Sequence, residues 1–184
     1  MGRPREPRPA KLFVSILFAK ERVLEEGLRD LQSLFGEIDW ISKRLPFDWT
    51  DYYAEEMGHP LYRHFLTFSR LVPMETLPDV KEMTNHLEER HALGDGKRQL
   101  NIDPGYVCFE HVVLATTKGY SHRPYLRKGI YADLTLIYRN RSFQPLEWTY
   151  PDYRNEETIE LFNEIRRAYH ERLKRSEGGL WSNR

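Results

Sequence analysis

The sequence holds a single cysteine, Cys108, in 184 residues. One thiol closes no intrachain disulfide and builds no cysteine-rich metal site, and its expected place is that of a small buried hydrophobe rather than a nucleophile. An excess of charge is missing too, because 28 Lys and Arg balance 28 Asp and Glu. That balance argues against a chain built mainly to coat nucleic acid, which binds through many phosphate contacts, but it leaves room for local basic patches. No apolar run approaches the roughly 18 residues needed to span a bilayer. The seven histidines do not fall in HExxH or comparable zinc-ligand spacing, and no GxxxxGK[ST] phosphate loop occurs. "HFLT" at 64–67 is one residue too long to put a histidine and a threonine on one face of a strand, as a two-histidine phosphoesterase would require. Internal repeats and low-complexity segments are absent as well.

What is present is an ordinary globular composition, with 40% hydrophobic and 30% charged residues, and a high aromatic content of 13%. The length suits one domain with a sizeable core. Residues 1–10 place Arg3, Arg5 and Arg8 among prolines and read as a flexible basic arm. The short apolar run that follows lacks a cleavage pattern, so a signal peptide is not expected and the protein reads as cytoplasmic. Residues 11–175 form the expected single α+β domain, and 176–184 a disordered tail.

Periodicity divides that domain. "KLFVSILF" (11–18) reads as a central strand, and the segment after it sets Leu24, Leu28, Leu31 and Phe35 on one helical face with Gly36 as its stop. "EIDWI" (37–41) and the alternating "LYRHFLTFSRLV" (61–72) are further strands. Thr76 and Asp79 have capping-box spacing before a helix in which Val80, Met83 and Leu87 face one way, ending near "LGDG" (93–96). "RQLNID" (98–103) is the next strand, with Pro104-Gly105 turning the chain, and 106–117 is open between strand and helical turn. "GIYADLTLIYR" (129–139) is the clearest strand, with Ile130, Ala132, Leu134 and Leu136 on its core face and Tyr131, Asp133 and Thr135 opposite. "SFQPLEW" (142–148) is its hairpin partner. Asn155 caps a last helix with a Phe162, Ile165, Tyr169, Leu173 stripe. The first six elements run strand, helix, strand, strand, helix, strand. That order predicts a ferredoxin-like, split βαβ core: an antiparallel sheet with helices on one face, extended by C-terminal strands, with the terminal helix docked beside it.

The phrases "KLFVSILF", "PFDWTDYYAEEMG", "NIDPGY", "KGYSHRPYLRKGIYAD" and "FQPLEWTYPDYR", in that order, resemble the DUF4416 family of bacterial and archaeal proteins of unknown function. The resemblance covers nearly the whole chain apart from arm and tail. It implies a single cytoplasmic prokaryotic domain and brings no reaction with it. Some members carry a GTP-binding label, which the missing phosphate loop does not support; "LGDGKRQ" lacks both the glycine spacing and the following hydroxyl.

Four stretches could carry chemistry. "FDWTDYYAEEMG" sets Asp48 beside Trp49, Tyr52 and Tyr53, an arrangement that could hold a divalent cation or a ring-bearing ligand, or that simply caps a short helix through Asp48 or Thr50. Asp103 is either the first residue of a Pro-Gly turn or a carboxylate at a strand end. In "KGYSHRPYLRKG", Lys118, His122, Arg123, Arg127 and Lys128 either converge on an anion or form a solvated rim. Tyr131, Asp133 and Thr135 give the adjoining strand a polar face that needs water or partners. Trp148 and Asp152, in "EWTYPDYR", either staple the last helix or complete a cleft of mixed polarity. The expectation is a polar cleft that binds or processes a phosphorylated small molecule, a nucleotide or an RNA end. Lys118, Arg123 and Lys128 would neutralise oxygens, His122 would carry protons, and Asp103 and Asp133 would orient a base or a divalent metal. The competing expectation is a non-catalytic module whose exposed aromatic loops grip a protein or RNA.

Overall fold

The computed structural model describes residues 2–181, with side chains described through residue 175. Its nine strands are β1 (Ala10–Phe18), β2 (Ile38–Ile41), β3 (Leu45–Pro46), β4 (Tyr62–Val72), β5 (Leu100–Val107), β6 (His111–Thr116), β7 (Tyr125–Arg127), β8 (Ile130–Arg139) and β9 (Ser142–Pro145). They form one antiparallel open sheet in the order β2-β4-β1-β5-β6-β8-β7, with β3 added to β4 and β9 to β8. Five α-helices cover it: α1 (Glu21–Phe35), α2 (Ala54–Met57), α3 (Leu77–Arg90), α4 (Pro151–Arg154) and α5 (Glu156–Trp181).

β1 is buried along its whole length, and the alternation of its side chains divides the core in two. Leu12, Val14, Ile16 and Phe18 pack against α1 and α3. Phe13 points the other way, into a cluster with Phe65, Tyr153, Phe162 and Ile165. Helices therefore lie on both faces of the sheet, and α5 covers the second face instead of docking beside it. α1 stops at Gly36, where φ of +91° is open to glycine and closed to most residues.

Several expectations are corrected. β5 runs straight through Pro104-Gly105, pairing Pro104 with Val14 and Gly105 with Phe13. The backbone of Ile102 faces away from β1, donating its N–H to Glu88 and accepting from Lys81 at its carbonyl. Two residues on, Pro104 turns its missing N–H to the same outer edge, where no strand pairs with it, so the proline removes no ladder bond. Gly105 is required by packing. A Cβ there would lie 2.4 Å from the Val113 carbonyl and 2.6 Å from the Phe13 ring. Residues 106–117 are the end of β5, a tight turn closed by Cys108 N–H donating to His111 O at 3.0 Å, and β6. The lone thiol is buried there, and burial pushes it up to about 11, as for an unreactive cysteine.

The capping box is not formed. Thr76 donates its hydroxyl to Pro73 O, Asp79 turns to other partners, and Met83 is 36% exposed rather than in the core. β8 contains a bulge, because Val112 pairs with Leu136 while Val113 pairs with Leu134. Thr135 is the extra residue, so Leu136 joins the core under α5 while Ile130, Ala132 and Leu134 pack on the α3 side. The expected single core face of this strand is therefore split between two.

Asn155 caps α5 as expected, accepting from Thr158 N–H at 2.8 Å, and its Phe162, Ile165, Tyr169, Leu173 stripe is buried. The helix continues to Trp181, through part of the expected tail; residues 182–184 lie outside the described residues. The arm is tied at its end: Ala10 already pairs with Val72, and the Tyr169 hydroxyl donates to Pro9 O at 2.9 Å. Among the described residues no helix is long and apolar enough to cross a membrane.

Candidate functional site

β5 and β6 pair only over Gly105–Val107 and Val112–Leu114. On the other side of that short ladder the two strands part, and a cleft of about 530 Å³ opens in the gap. Register decides which side chains reach it. Leu17 lies between Arg63 and Asn101, Ser15 lies between Phe65 and Asp103, and Leu114 lies between Gly105 and Asp133. Cross-strand partners share a face, so Arg63, Asn101, Asp103 and Asp133 all project to the same side. Lys81, Asn85 and Glu88 of α3 reach in along the open edge of β5, and Trp49, Tyr52, Tyr53 and Tyr150 close the other walls.

The floor is a set of paired charges. Arg63 and Asp152 are both buried and meet at 2.5 Å, with the guanidinium over the rings of Phe47, Phe65 and Tyr153. Lys81 Nζ lies 3.2 Å from Asp103 Oδ1, and Asn101 donates to Asp103 Oδ2 at 2.7 Å. Burial acts to raise the Asp103 pKa, but Lys81, Asn101 and Arg63 outweigh it and hold the carboxyl below its ordinary range. Glu88 goes the other way, with burial pushing it above the usual glutamate range against the pull of Lys81. Arg98 grips both oxygens of Glu56 at 2.8 and 2.7 Å and donates to Asn101 Oδ1 at 2.8 Å. That fork latches α2, and the loop before it, to the cleft wall. Thr50 caps the turn in that loop by accepting from Tyr52 N–H, and burial followed by the nearby Asp103 charge raises the Tyr53 phenol. Among the described residues the buried Arg63 Nε at this floor makes no hydrogen bond.

The rim is different. Tyr52 is 63% exposed, Trp49 and Tyr150 are exposed beside it, and the Lys118 ammonium stands 4.9 Å above the Tyr52 ring. Four cations line the cleft: Arg63, Lys81, Arg98 and Lys118. Among the described residues, Lys118 alone of these has no carboxylate within ion-pair distance.

Of the residues singled out in the sequence, Trp49, Thr50, Tyr52, Tyr53, Asp103, Lys118, Asp133 and Asp152 line the cleft. Arg123 stands behind Asp133, donating from Nε to its carboxylate at 2.8 Å and from Nη2 to the Tyr150 hydroxyl at 2.6 Å. His122 stacks on Trp148 with ring centres 5.0 Å apart, its Nε2 3.8 Å from Asp133, and does not line the cleft. Trp148 is held by its indole N–H, which donates to Leu134 O. Tyr131 packs its ring against Tyr125, and Asp48 is exposed outside the lining. The basic loop does not converge. Arg127 chelates Asp79, and Lys128 bonds Asp79 and Glu82, all on the outer surface of α3. Among the described residues no group of three or more His, Cys, Asp or Glu could hold a metal ion.

Arg63, Lys81, Glu88 and Arg98 were not singled out. A signal existed for two of them: Lys81, Thr84 and Glu88 recur at helical spacing beside Val80 and Leu87, a polar line on an apolar face.

Fold and site together define a mixed α/β protein, an antiparallel open sheet with a polar cleft where two of its strands part. The chain belongs to the DUF4416 family, a domain of unknown function, whose model matches residues 8–169. No curated protein and no solved structure matches it.

Proposed function

We propose that the cleft binds a phosphorylated small molecule or nucleotide, with a ring against the rim aromatics and the phosphate beside Lys118. One observation carries this reading: among the described residues Lys118 is the lining cation left without a carboxylate, at the mouth of a cleft whose other cations are paired. A cation on an aromatic rim contacts an anionic group without breaking an existing ion pair. The cleft volume suits a ligand of that size. His122 is not part of this reading, because its ring is committed to Trp148. A phosphorylated RNA end offers the same ring and phosphate, and the exposed Trp49 and Tyr52 favour it as the second reading.

The test is thermal denaturation with nucleotides, sugar phosphates and a short 5′-phosphorylated RNA, each against chloride at matched ionic strength. A ligand that binds the native state stabilises it by about 2.7 kcal/mol at a hundredfold its Kd. A concentration-dependent rise that Lys118→Ala diminishes is expected. No rise with any of them overturns the reading. Two further readings go with it. The order β2-β4-β1-β5, with helices after β1 and β4, supports a ferredoxin-like, split βαβ core within residues 10–107. A lone buried cysteine fits a cytoplasmic protein.

A further inference from the structure

We infer that the ligand of this cleft is a nucleoside monophosphate, bound with its base foremost and its phosphate at the rim. The inference rests on the small-molecule reading above and concerns which end of the ligand goes in. The interior does not welcome an anion. Arg63, Lys81 and Arg98 are each committed to a carboxylate, and a phosphate placed among them would face Asp103, Glu88 and Asp152 at once.

The interior does welcome hydrogen-bond donors. Asp103 is held ionised, so it only accepts, and its two observed contacts leave lone pairs over. Asn85 lines the cleft half-buried, and its side-chain amide makes no hydrogen bond among the described residues, so it presents a donor and an acceptor side by side. That pair matches the edge of a heterocyclic base, where an amine sits next to a ring nitrogen. A sugar without a base would leave the Asn85 pattern unread. The buried Arg63 Nε, without a hydrogen-bond partner among the described residues, marks the same floor as short of a polar partner.

The rim sets the charge. Lys118 offers one cation without a carboxylate partner, and the neighbouring cations of the basic loop are spent: Arg123 on Asp133, Arg127 and Lys128 on α3. Among the described residues a second or third phosphate would find no further unpaired lining cation there. Tyr52, exposed under Lys118, and Trp49, exposed on the cleft wall, offer ring surface for the body of the ligand.

Isothermal titration of the full chain tests this with the four ribonucleosides, their 5′-monophosphates and 5′-triphosphates, ribose 5-phosphate and inorganic phosphate at matched ionic strength. The monophosphate of at least one base is expected to bind about tenfold tighter than its nucleoside, the size of one charge-assisted contact, with the triphosphate no tighter. Ribose 5-phosphate and phosphate are expected to bind at least about tenfold more weakly than that monophosphate. Lys118→Ala should erase the gap between monophosphate and nucleoside. Asn85→Ala should weaken both alike, and because the Asn85 amide has no partner among the described residues that variant is expected to fold normally. A triphosphate that binds tightest, a ribose 5-phosphate as tight as the monophosphate, or an Asn85→Ala protein with unchanged affinity overturns the inference while leaving the small-molecule reading in place. If no probe binds, that reading falls and the inference with it.

Discussion

Arg63 and Asp152 are 89 residues apart in sequence and 2.5 Å apart in the fold, with side chains 8% and 11% exposed. The pair joins β4 to α4 beneath the cleft. Breaking a buried pair from one side costs about 3–5 kcal/mol, because the remaining charge loses its direct partner in a poorly solvated place. Asp152→Ala should lose that much in chemical denaturation. Replacing both residues, Arg63→Met with Asp152→Leu, should recover most of it, because the stranded charge is gone. A single variant that loses under about 1 kcal/mol would show that this contact does not hold the floor.

Gly105 makes a second test of the cleft's frame. Its missing Cβ is what lets the Phe13 ring and the Val113 carbonyl close on β5 at the last rung before the strands part. Gly105→Ala should destabilise by about 1–3 kcal/mol or more, as overpacking does. Trimming the ring with Phe13→Leu should not rescue it, because the carbonyl contact stays. Full stability of Gly105→Ala would mean that β5 and β6 separate freely at that point.

Much of this frame is legible in the sequence because it rests on local pattern. β1, α1 and the α5 stripe follow from apolar periodicity, and Asn155 from capping chemistry. Asp103 and Asp133 stand out as carboxylates on strands, and both line the cleft. The rest depends on partners far away in the chain. Pro104-Gly105 reads as a turn until an open outer edge and the Phe13 ring explain both residues. Lys128 reads as an anion contact until Asp79 and Glu82, more than 40 residues earlier, are seen to hold it. Arg63 looks like any polar residue of an alternating strand, and only the register of β4 against β1 turns it to the floor.

The bulge at Thr135 gives a prediction that the plain alternation of β8 would reverse. Leu136 is fully buried in the core under α5, whereas Leu134 is only partly buried on the α3 side. Leu136→Ala should cost about 2–5 kcal/mol and Leu134→Ala clearly less, since the cost grows with the cavity left behind. Equal losses, or a larger loss at Leu134, would contradict this register.

The carboxylates of the cleft set opposite pH dependences. Glu88 is pushed up by burial, so the folded state holds its proton more tightly than the unfolded chain does. Its contribution is intact below the ordinary glutamate range and is lost as pH rises through the raised value. Asp103 is held down by Lys81, Asn101 and Arg63 against its burial. Its contribution is intact above the ordinary aspartate range and is lost as pH falls through the depressed value. Glu88→Gln keeps an oxygen to accept from Ile102 N–H but cannot ionise. The variant should therefore lose the decline on the upper side of the carboxylate range and be at least as stable as the wild type at neutral pH. Asp103→Asn should flatten only the acid side. Denaturation midpoints followed across that pH range separate the two, and a Glu88→Gln profile that tracks the wild type on the upper side would show that burial does not govern this carboxyl.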